Sequence, residues 1–488
     1  MLKSNIAWMK KNVPSDLKVW KGMIQDIDWS QVAAKTKLSL QRDKDRITAE
    51  FKEFAAMDTS AKIDWLMNGD RHLGYLYKKD AIAFARREWK GLKSVGYDFV
   101  GWLKIWGGML NMVMKDPVSI MLAVFEYHWF ASYLATPAVV DRSVFGRRGK
   151  LLQADFDMWV AITHWAEDLI ANLIMADAKI GGNQKINKRI IMFDEMTMAQ
   201  MMAGFPNLLG IPYQMIPVFM VSEMDQLTLI PYIDAIESYG LPSDTCPLPT
   251  AECGCAVKDE YPMCGQGFIA SSMPCDGSVM ATSFQDRRFS KFMPSYPLCM
   301  PVRYDDEDTT EMAAADMKDC IHWVEGLTGE TWNWDTYFAT MEKMNECTRL
   351  EMEKWEINKT HYPQLVGSSF ELFRKWNYEM DGGLFPEGLK TQRKICKTMM
   401  ETYEKKLPAY VGGYEKYRAL IWSCPAHFYA NFSNWLANCW GIYALTEMEA
   451  LNMTKMLNTT DKEEAINDLC RLYERMVMRR HTNGGYQN

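Results

Sequence analysis

The sequence lacks most of the short motifs that identify a particular chemistry. No Gly-rich phosphate-binding loop follows a predicted strand, and no Gly-x-Ser-x-Gly nucleophile turn is present. No internal repeat and no low-complexity tract occurs, which leaves solenoid and propeller architectures unsupported. The function therefore has to be inferred from architecture and from the placement of charge, and we predict no bound cofactor.

The chain also lacks a surplus of positive charge and an N-terminal apolar signal segment. Its formal net charge is -7, which argues against a surface built entirely to coat nucleic acid or an anionic membrane. Lysines near the N-terminus are not followed by an apolar run of signal-peptide length, so we expect no secretory signal peptide and a virion or cytoplasmic location. The apolar stretches 117–140 and 196–222 are interrupted by ionisable residues or prolines, so we predict no membrane span.

Large, adaptable apolar side chains are abundant. The 488 residues include 37 methionines and 18 tryptophans. Such residues fill large cores, and they are also enriched where subunits meet, because they offer wide apolar contact that repacks easily. Both interpretations, core filling and extensive subunit contact, remain open at the level of sequence.

Charge is segregated along the chain. Residues 1–150 carry a net +9, residues 151–300 a net -9 and residues 301–488 a net -7. Such an asymmetry suits a protein that presents one face to a polyanion or docks on a neighbouring copy. We predict three regions: a basic helical region at 1–190, an irregular Cys/Pro/Gly-rich insertion or arm at 191–305, and an acidic helical region at 306–488.

Helix signals dominate the first and last regions. Capping patterns at Asp308, Ser368 and Thr460 each place an acid three residues later and precede an apolar period typical of a helix, and Asp335 begins another. Between about 205 and 303, prolines and glycines recur every few residues, with short strands predicted at 216–221 and 267–272. The predicted fold is mainly α, a multi-helix globular protein with a long irregular Cys/Pro-rich insertion containing short β strands.

Half of the 12 cysteines lie in this insertion. They lack the paired C-x2-4-C spacing of most structural zinc sites, and no histidine lies among them. Free buried thiols, disulfides and a metal site are the three alternatives. The candidate disulfide or metal residues are Cys246, Cys253, Cys255, Cys264, Cys275 and Cys299.

Basic residues alternate with aromatic residues between 71 and 106, and three more flank glycines at 146–150. Single-stranded nucleic acid is held by such a mixture, because cations neutralise phosphates while aromatic faces stack on bases. The alternative is a solvated amphipathic helix whose aromatic side chains face the core. The candidate nucleic-acid-binding residues are Arg71, Lys78, Lys79, Arg86, Arg87, Lys90, Lys93, Arg147, Arg148 and Lys150.

The leading hypothesis from these patterns is a non-enzymatic, self-assembling structural protein, a viral capsid or nucleocapsid subunit enclosing RNA without sequence readout. Its partners would be further copies of itself and RNA. One rival is a metal- or thiol-dependent enzyme of an unfamiliar family, with a site at His164, Glu167 and Asp168 or at the cysteines. The other rival is an intracellular scaffold protein.

Overall fold

The computed structural model describes residues 54–67, 91–180, 189–194, 199–242, 244–272, 276–300, 306–365, 383–407, 409–410, 415–421, 432–447 and 455–474, with isolated positions at 30, 37, 41, 44, 48, 51, 52, 376 and 381. The first helices of this part are α1 (Thr59–Met67), α2 (Gly91–Lys115), α3 (Pro117–Glu126), α4 (Thr136–Ser143) and α5 (Gly149–Ala176).

The long helices α2 and α5 pack closely against each other. A methyl group at Gly101 would lie 2.3 Å from the Phe156 ring, and one at Gly108 would lie 2.3 Å from a carboxylate oxygen of Glu167. Glycine at these two positions therefore permits the close approach. Asp116 then ends the run of α2 and caps α3 by accepting from the Ser119 backbone N–H, with Pro117 as the first helical residue.

Among the described residues, no single helix combines the length and apolarity needed to cross a bilayer. Helices α2 and α3 meet that test only as a pair, bent by 96° at Asp116.

A parallel sheet follows the N-terminal helices. Its strands are β1 (Arg189–Phe193), β2 (Leu208–Pro212), β3 (Gly267–Ser271) and β4 (Ser295–Leu298), in the order β2-β1-β3-β4. In register, Ile191 of β1 lies between Gly210 of β2 and Gly267 of β3. The four residues that end β1 are buried, as expected for a parallel strand covered by helices on both faces.

This sheet shows that the predicted fold class is wrong, and the protein has an α/β fold. The segment 191–305, interpreted as an irregular insertion, holds β2, β3, β4 and the last three residues of β1. Strands β1 and β3 are almost wholly buried, so they show no alternation of apolar and polar residues from which a strand could be predicted. Strands β2 and β4 have only five and four residues, and each contains a proline. The predicted strand 267–272 is confirmed as β3, whereas 216–221 lies in helical turns and in α7.

Short helices connect the strands. They are α6 (Ala199–Met202), α7 (Met220–Met224), α8 (Ile230–Glu237), α9 (Pro247–Val257) and α10 (Asp276–Phe289). Pro231 and Pro247 lie in the first turns of α8 and α9, where the missing proline N–H costs no helical hydrogen bond. These two of the prolines that suggested irregular chain therefore begin helices.

The C-terminal part is mostly helical, with a second, two-stranded parallel pairing. Its elements are α11 (Glu307–Thr328), α12 (Trp334–Asn358), α13 (Pro386–Glu404), β5 (Tyr417–Ile421), α14 (Phe432–Trp435), β6 (Ile442–Glu447) and α15 (Lys462–Glu474). The helices predicted from Asp308, Asp335 and Thr460 are confirmed to within two residues, although the actual caps are Asp306 and Asn333 for the first two. The helix predicted from Ser368 lies outside the described residues.

One main hydrophobic core joins these elements. Its buried residues run from Ile105 in α2, through Ile191 in β1 and Met317 in α11, to Tyr473 in α15. Helix α15 packs on α11, and α11 in turn contacts β4, so α15 shares one core with the sheet. The division into three regions at 190 and 305 stays a prediction.

Candidate functional site

The strand order defines where a ligand fits this sheet. The connection that follows β1 leads to β2 on one side, and β3 lies on the other side of β1. At such a switch point the loops after the two neighbouring strands diverge, and open α/β sheets bind ligands in the crevice that this leaves beyond the carboxyl ends of the strands. The ends of β1 and β3 are therefore the candidate site.

A buried carboxylate joins these two strand ends. Asp194, which directly follows β1, is fully buried. One of its carboxylate oxygens accepts the backbone N–H of Ser271 at 2.8 Å and the hydroxyl of Ser271 at 2.5 Å. Ser271 is the last residue of β3. The pair holds the ends of β1 and β3 to a common edge, and residues 195–198 and 273–275 lie outside the described residues.

Helix α15 makes a hydrogen bond close to the same edge of the sheet. The Tyr473 hydroxyl donates to the side-chain oxygen of Gln200 at 3.0 Å, and Gln200 lies in α6 just after the β1 loop. Burial raises the pKa of Tyr473 well above its usual range, and nearby ionisable groups, including Asp194, raise it further. Tyr473 therefore stays protonated and acts as a hydrogen-bond donor.

The ends of β3 and β4 are tied in a similar way. The Ser272 hydroxyl donates to the Met300 carbonyl and accepts the Met300 N–H, both at 2.8 Å. The backbone N–H of Cys299 donates to Asp316 at 2.6 Å, and the other oxygen of that carboxylate accepts the Tyr296 hydroxyl at 2.7 Å. Cys299, directly after β4, is exposed at this edge.

The other predicted cysteines in the described part of the chain do not form a metal-binding cluster. Cys275 follows β3 in the chain but lies outside the described residues. Of the remaining predicted residues, Cys246 is exposed, Cys253 and Cys255 are buried in α9, and Cys264 is half-buried. Burial raises the pKa of Cys253 to about 12 and those of Cys255 and Cys264 well above the usual range. These three are therefore protonated rather than reactive thiolates.

A metal ion or iron–sulfur group needs several converging ligands, typically thiolates for the latter. Among the described residues, no group of three or more His, Cys, Asp or Glu side chains is placed to hold a metal ion. The described thiols do not fit such a group. Cys275, Cys424 and the side chain of Cys439 lie outside the described part of the chain.

The predicted basic surface divides into three sets. Arg71, Lys78, Lys79, Arg86, Arg87 and Lys90 lie outside the described residues. Lys93 is exposed on α2. The remaining three, Arg147, Arg148 and Lys150, lie at the start of α5, where the first two are buried and Lys150 forms an ion pair with Glu401.

Arg147 is committed to contacts inside the chain. Its guanidinium pairs with the buried Asp155 at 2.9 Å, donates to the Ala409 carbonyl at 2.7 Å and to the Tyr410 hydroxyl at 3.1 Å. It also stacks 3.9 Å from the centre of the Tyr410 ring. A side chain held this way links α5 to the C-terminal part and does not face a polyanion, so the proposed RNA surface is not supported here.

The alternative acid and histidine site does not converge either. His164 lies 3.3 Å from Glu387 of α13, and Asp168 pairs with Lys115 of α2. Glu167 is buried between α2 and α5, where desolvation raises its pKa to about 8. The three side chains thus have three separate environments.

The parallel sheet and its polar switch point define a class: an open α/β protein with a candidate ligand-binding edge at the carboxyl ends of β1 and β3. A family model described as 2-hydroxyglutaryl-CoA dehydratase, D-component, matches residues 226–486, more than half of the chain. The protein therefore belongs to this family. No curated protein matches the chain.

This family is an enzyme family, a dehydratase component. The predictions of a non-enzymatic protein, a capsid or nucleocapsid subunit and a virion location are therefore wrong, and the enzyme alternative is supported instead. The sequence held a usable signal for the site, since the apolar run Ile190–Phe193 ends in Asp194 and the run ending at Ser271 precedes a glycine- and cysteine-containing segment.

Proposed function

We propose that this protein is a subunit of an enzyme that removes water from a 2-hydroxyacyl-CoA, with the thioester bound at the switch point between β1 and β3. The observation that carries the proposal is the family match over residues 226–486. That segment includes β3, β4 and α15, which build one side of the candidate site.

The reaction takes the hydroxyl group from C2 and a hydrogen from C3, and it leaves a 2,3-unsaturated thioester and water. The thioester carbonyl acidifies the hydrogen on C2, whereas the hydrogen that must leave is on C3. An ordinary base-catalysed elimination is therefore unfavourable. Enzymes of this family are radical dehydratases that depend on an activator, and radical chemistry offers a route that avoids direct removal of the C3 proton. Because dehydration is redox-neutral, an electron supplied by the activator would be returned at the end of the reaction and would act catalytically.

The role we assign to Asp194 is positioning. Its carboxylate fixes Ser271, and thereby the end of β3, against the end of β1. Preorganised backbone of this kind holds a substrate in a reactive geometry without having to rearrange during the reaction. The partners in this account are an activator protein and further copies of the chain, in a cytoplasmic location.

The proposal can be tested by binding. We expect the complex purified through a tag on this chain to bind 2-hydroxyglutaryl-CoA, measured by calorimetry, and to bind free 2-hydroxyglutarate at least roughly ten-fold more weakly, a difference of about 1.4 kcal/mol. Asp194→Asn should weaken binding, whereas the exposed Asp244→Asn should not. A folded complex that binds no 2-hydroxyacyl thioester would overturn the proposal.

A further inference from the structure

Helix α2 has two faces of different character. One face packs on α5 and buries Ile105 and Met112. The opposite face carries large apolar residues at spacings of three, four and seven, so that they share one side of the helix. We call this the α2 stripe: Leu92, Phe99, Leu103, Trp106, Leu110 and Met114.

The α2 stripe is exposed to an unusual degree. Its six side chains are between 55 and 65% exposed. Val95 and Val100 border the stripe, and four large apolar side chains of the neighbouring helix α3 are exposed as well. At roughly 150 Å² or more for each large apolar side chain, the exposed area is on the order of 1,000 Å², compared with about 300–600 Å² for the largest apolar patch of an ordinary monomer. About 800 Å² per partner is enough for a stable protein interface.

Two exposed glycines lie along one side of the stripe. Gly96 and Gly107 are three helical turns apart, and an added methyl group at either would meet nothing within 4 Å. Packing within the chain does not require glycine there, and each costs the helix about 1 kcal/mol relative to alanine. Bare backbone at these positions lets another helix approach closely, whereas a lipid surface would gain no apolar contact from it.

We propose that α2 is the contact surface of a homodimer in which the α2 stripes of two copies pair antiparallel about the midpoint between Gly96 and Gly107. In this arrangement Gly96 lies opposite Gly107 of the partner subunit, and the two-fold axis repeats the contact. The same patch thus complements itself, as an isologous interface requires. The proposal deepens the proposed function, since it assigns a surface to its homo-oligomer, and the surface lies outside the matched segment 226–486.

The first test is the mass in solution. The wild-type chain should have twice its 56.4 kDa by sedimentation or light scattering. Leu110→Glu should weaken association more than roughly ten-fold, because it buries a charge in an apolar contact. The matched control is Met312→Glu: Met312 is 54% exposed on α11, and its substitution should leave the dimer intact.

A second variant separates loss of contact from loss of folding. Gly107→Leu should raise the urea midpoint of the monomer fold, because it replaces glycine in a helix at a position with free space. It should nevertheless weaken the dimer, because the added side chain prevents the close approach. A variant that gains stability and keeps full association would overturn the antiparallel contact.

Cross-linking tests the register directly. Chains carrying Gly96→Cys mixed with chains carrying Gly107→Cys should form a disulfide between residues 96 and 107, identified by mass spectrometry, because opposed positions come within disulfide reach. A wild-type chain that is monomeric at all concentrations would overturn the proposal. Chemical labelling of the α2 stripe with and without residues 1–58, and binding to phosphatidylglycerol vesicles, would then show whether the chain itself or a lipid surface covers the stripe. Neither the mass nor the cross-link involves substrate, so a dimer that binds no thioester refutes the proposed function alone, and a thioester-binding monomer refutes the dimer alone.

Discussion

Ser271 donates both its backbone N–H and its hydroxyl to a single carboxylate oxygen of the buried Asp194, at 2.8 and 2.5 Å. The two residues end neighbouring parallel strands at the switch point of the sheet. This contact fixes the relative position of two strand ends that are 77 residues apart in the chain, and it places a charge-assisted hydrogen-bond pair where a ligand fits the fold.

Asp194→Asn should destabilise the protein by about 2 kcal/mol, measured by urea unfolding, because it removes the charge from two buried hydrogen bonds. Ser271→Ala removes the hydroxyl and keeps the backbone donor, so it should cost about 1 kcal/mol. Equal stability of both variants and the wild-type protein would show that the contact does not hold the strand ends.

The close packing of α8 and α9 provides a test of the fold within the segment first interpreted as irregular. A methyl group at Gly254 of α9 would lie 1.9 Å from the Tyr232 carbonyl oxygen. Since backbone cannot move aside as a flexible side chain can, Gly254→Ala should lower the free energy of unfolding by about 3 kcal/mol. Gly326→Ala is the matched control, because Gly326 lies in α11 with nothing within 4 Å, and it should stabilise by about 0.5–1 kcal/mol. Similar effects of the two substitutions would contradict the packing.

The buried guanidinium of Arg147 distinguishes an internal link from a nucleic-acid contact. Arg147→Met should destabilise the protein by about 3–5 kcal/mol, because it leaves the buried Asp155 without its cation. Lys93→Ala, at an exposed site, should change stability by less than about 0.5 kcal/mol. The assignment of Arg147 to the core would be wrong if the wild-type protein bound RNA and Arg147→Met lost that binding without any loss of stability.

Glu167 should make stability depend on pH. Its pKa in the folded protein is raised to about 8, mainly by burial, from 4.5, so the folded state binds the proton more tightly than the unfolded state does. Stability is then largest below the unfolded pKa and falls as pH rises from about 4.5 to 8, by up to about 1.4 kcal/mol per pH unit.

Glu167→Gln should remove this fall. The difference in urea midpoint, variant minus wild-type protein, should therefore be larger at about pH 8.5 than at about pH 5. Asp168→Asn changes the neighbouring, exposed carboxylate that pairs with Lys115, and it should follow the wild-type curve. Parallel curves for Glu167→Gln and the wild-type protein would mean that Glu167 ionises normally.

Helices were predictable where local signals decide them. The starts of α11, α12 and α15 follow from short polar caps and an apolar period, and they lie within two residues of their predicted positions. The parallel sheet was not predictable in the same way. Strand β1 is only Arg189–Phe193, and its pairing with β3 depends on residues more than 70 positions away, which no local period records.

The candidate site shares that difficulty. The sequence marks Asp194 and Ser271 as the ends of two apolar runs, but the two residues become partners only when β1 and β3 lie side by side, so their pairing cannot be predicted from local sequence. For Arg147 and Arg148 the sequence instead predicted a site that the structure does not have. Two adjacent arginines between glycines resemble a basic loop, yet the fold buries both of them. The cysteines were correctly located in one segment, but their spacing did not reveal that Cys253 and Cys255 lie inside a helix packed on α8 and α10.

The most direct test of the central claim is conversion of substrate. The complex purified through this chain, supplied with its activator and a one-electron reductant, should convert 2-hydroxyglutaryl-CoA to the unsaturated thioester, detected by mass spectrometry as loss of water. Asp194→Asn should lower the rate at least roughly ten-fold, with Asp244→Asn unchanged. A folded wild-type complex that converts no 2-hydroxyacyl-CoA in the presence of a working activator would contradict the account.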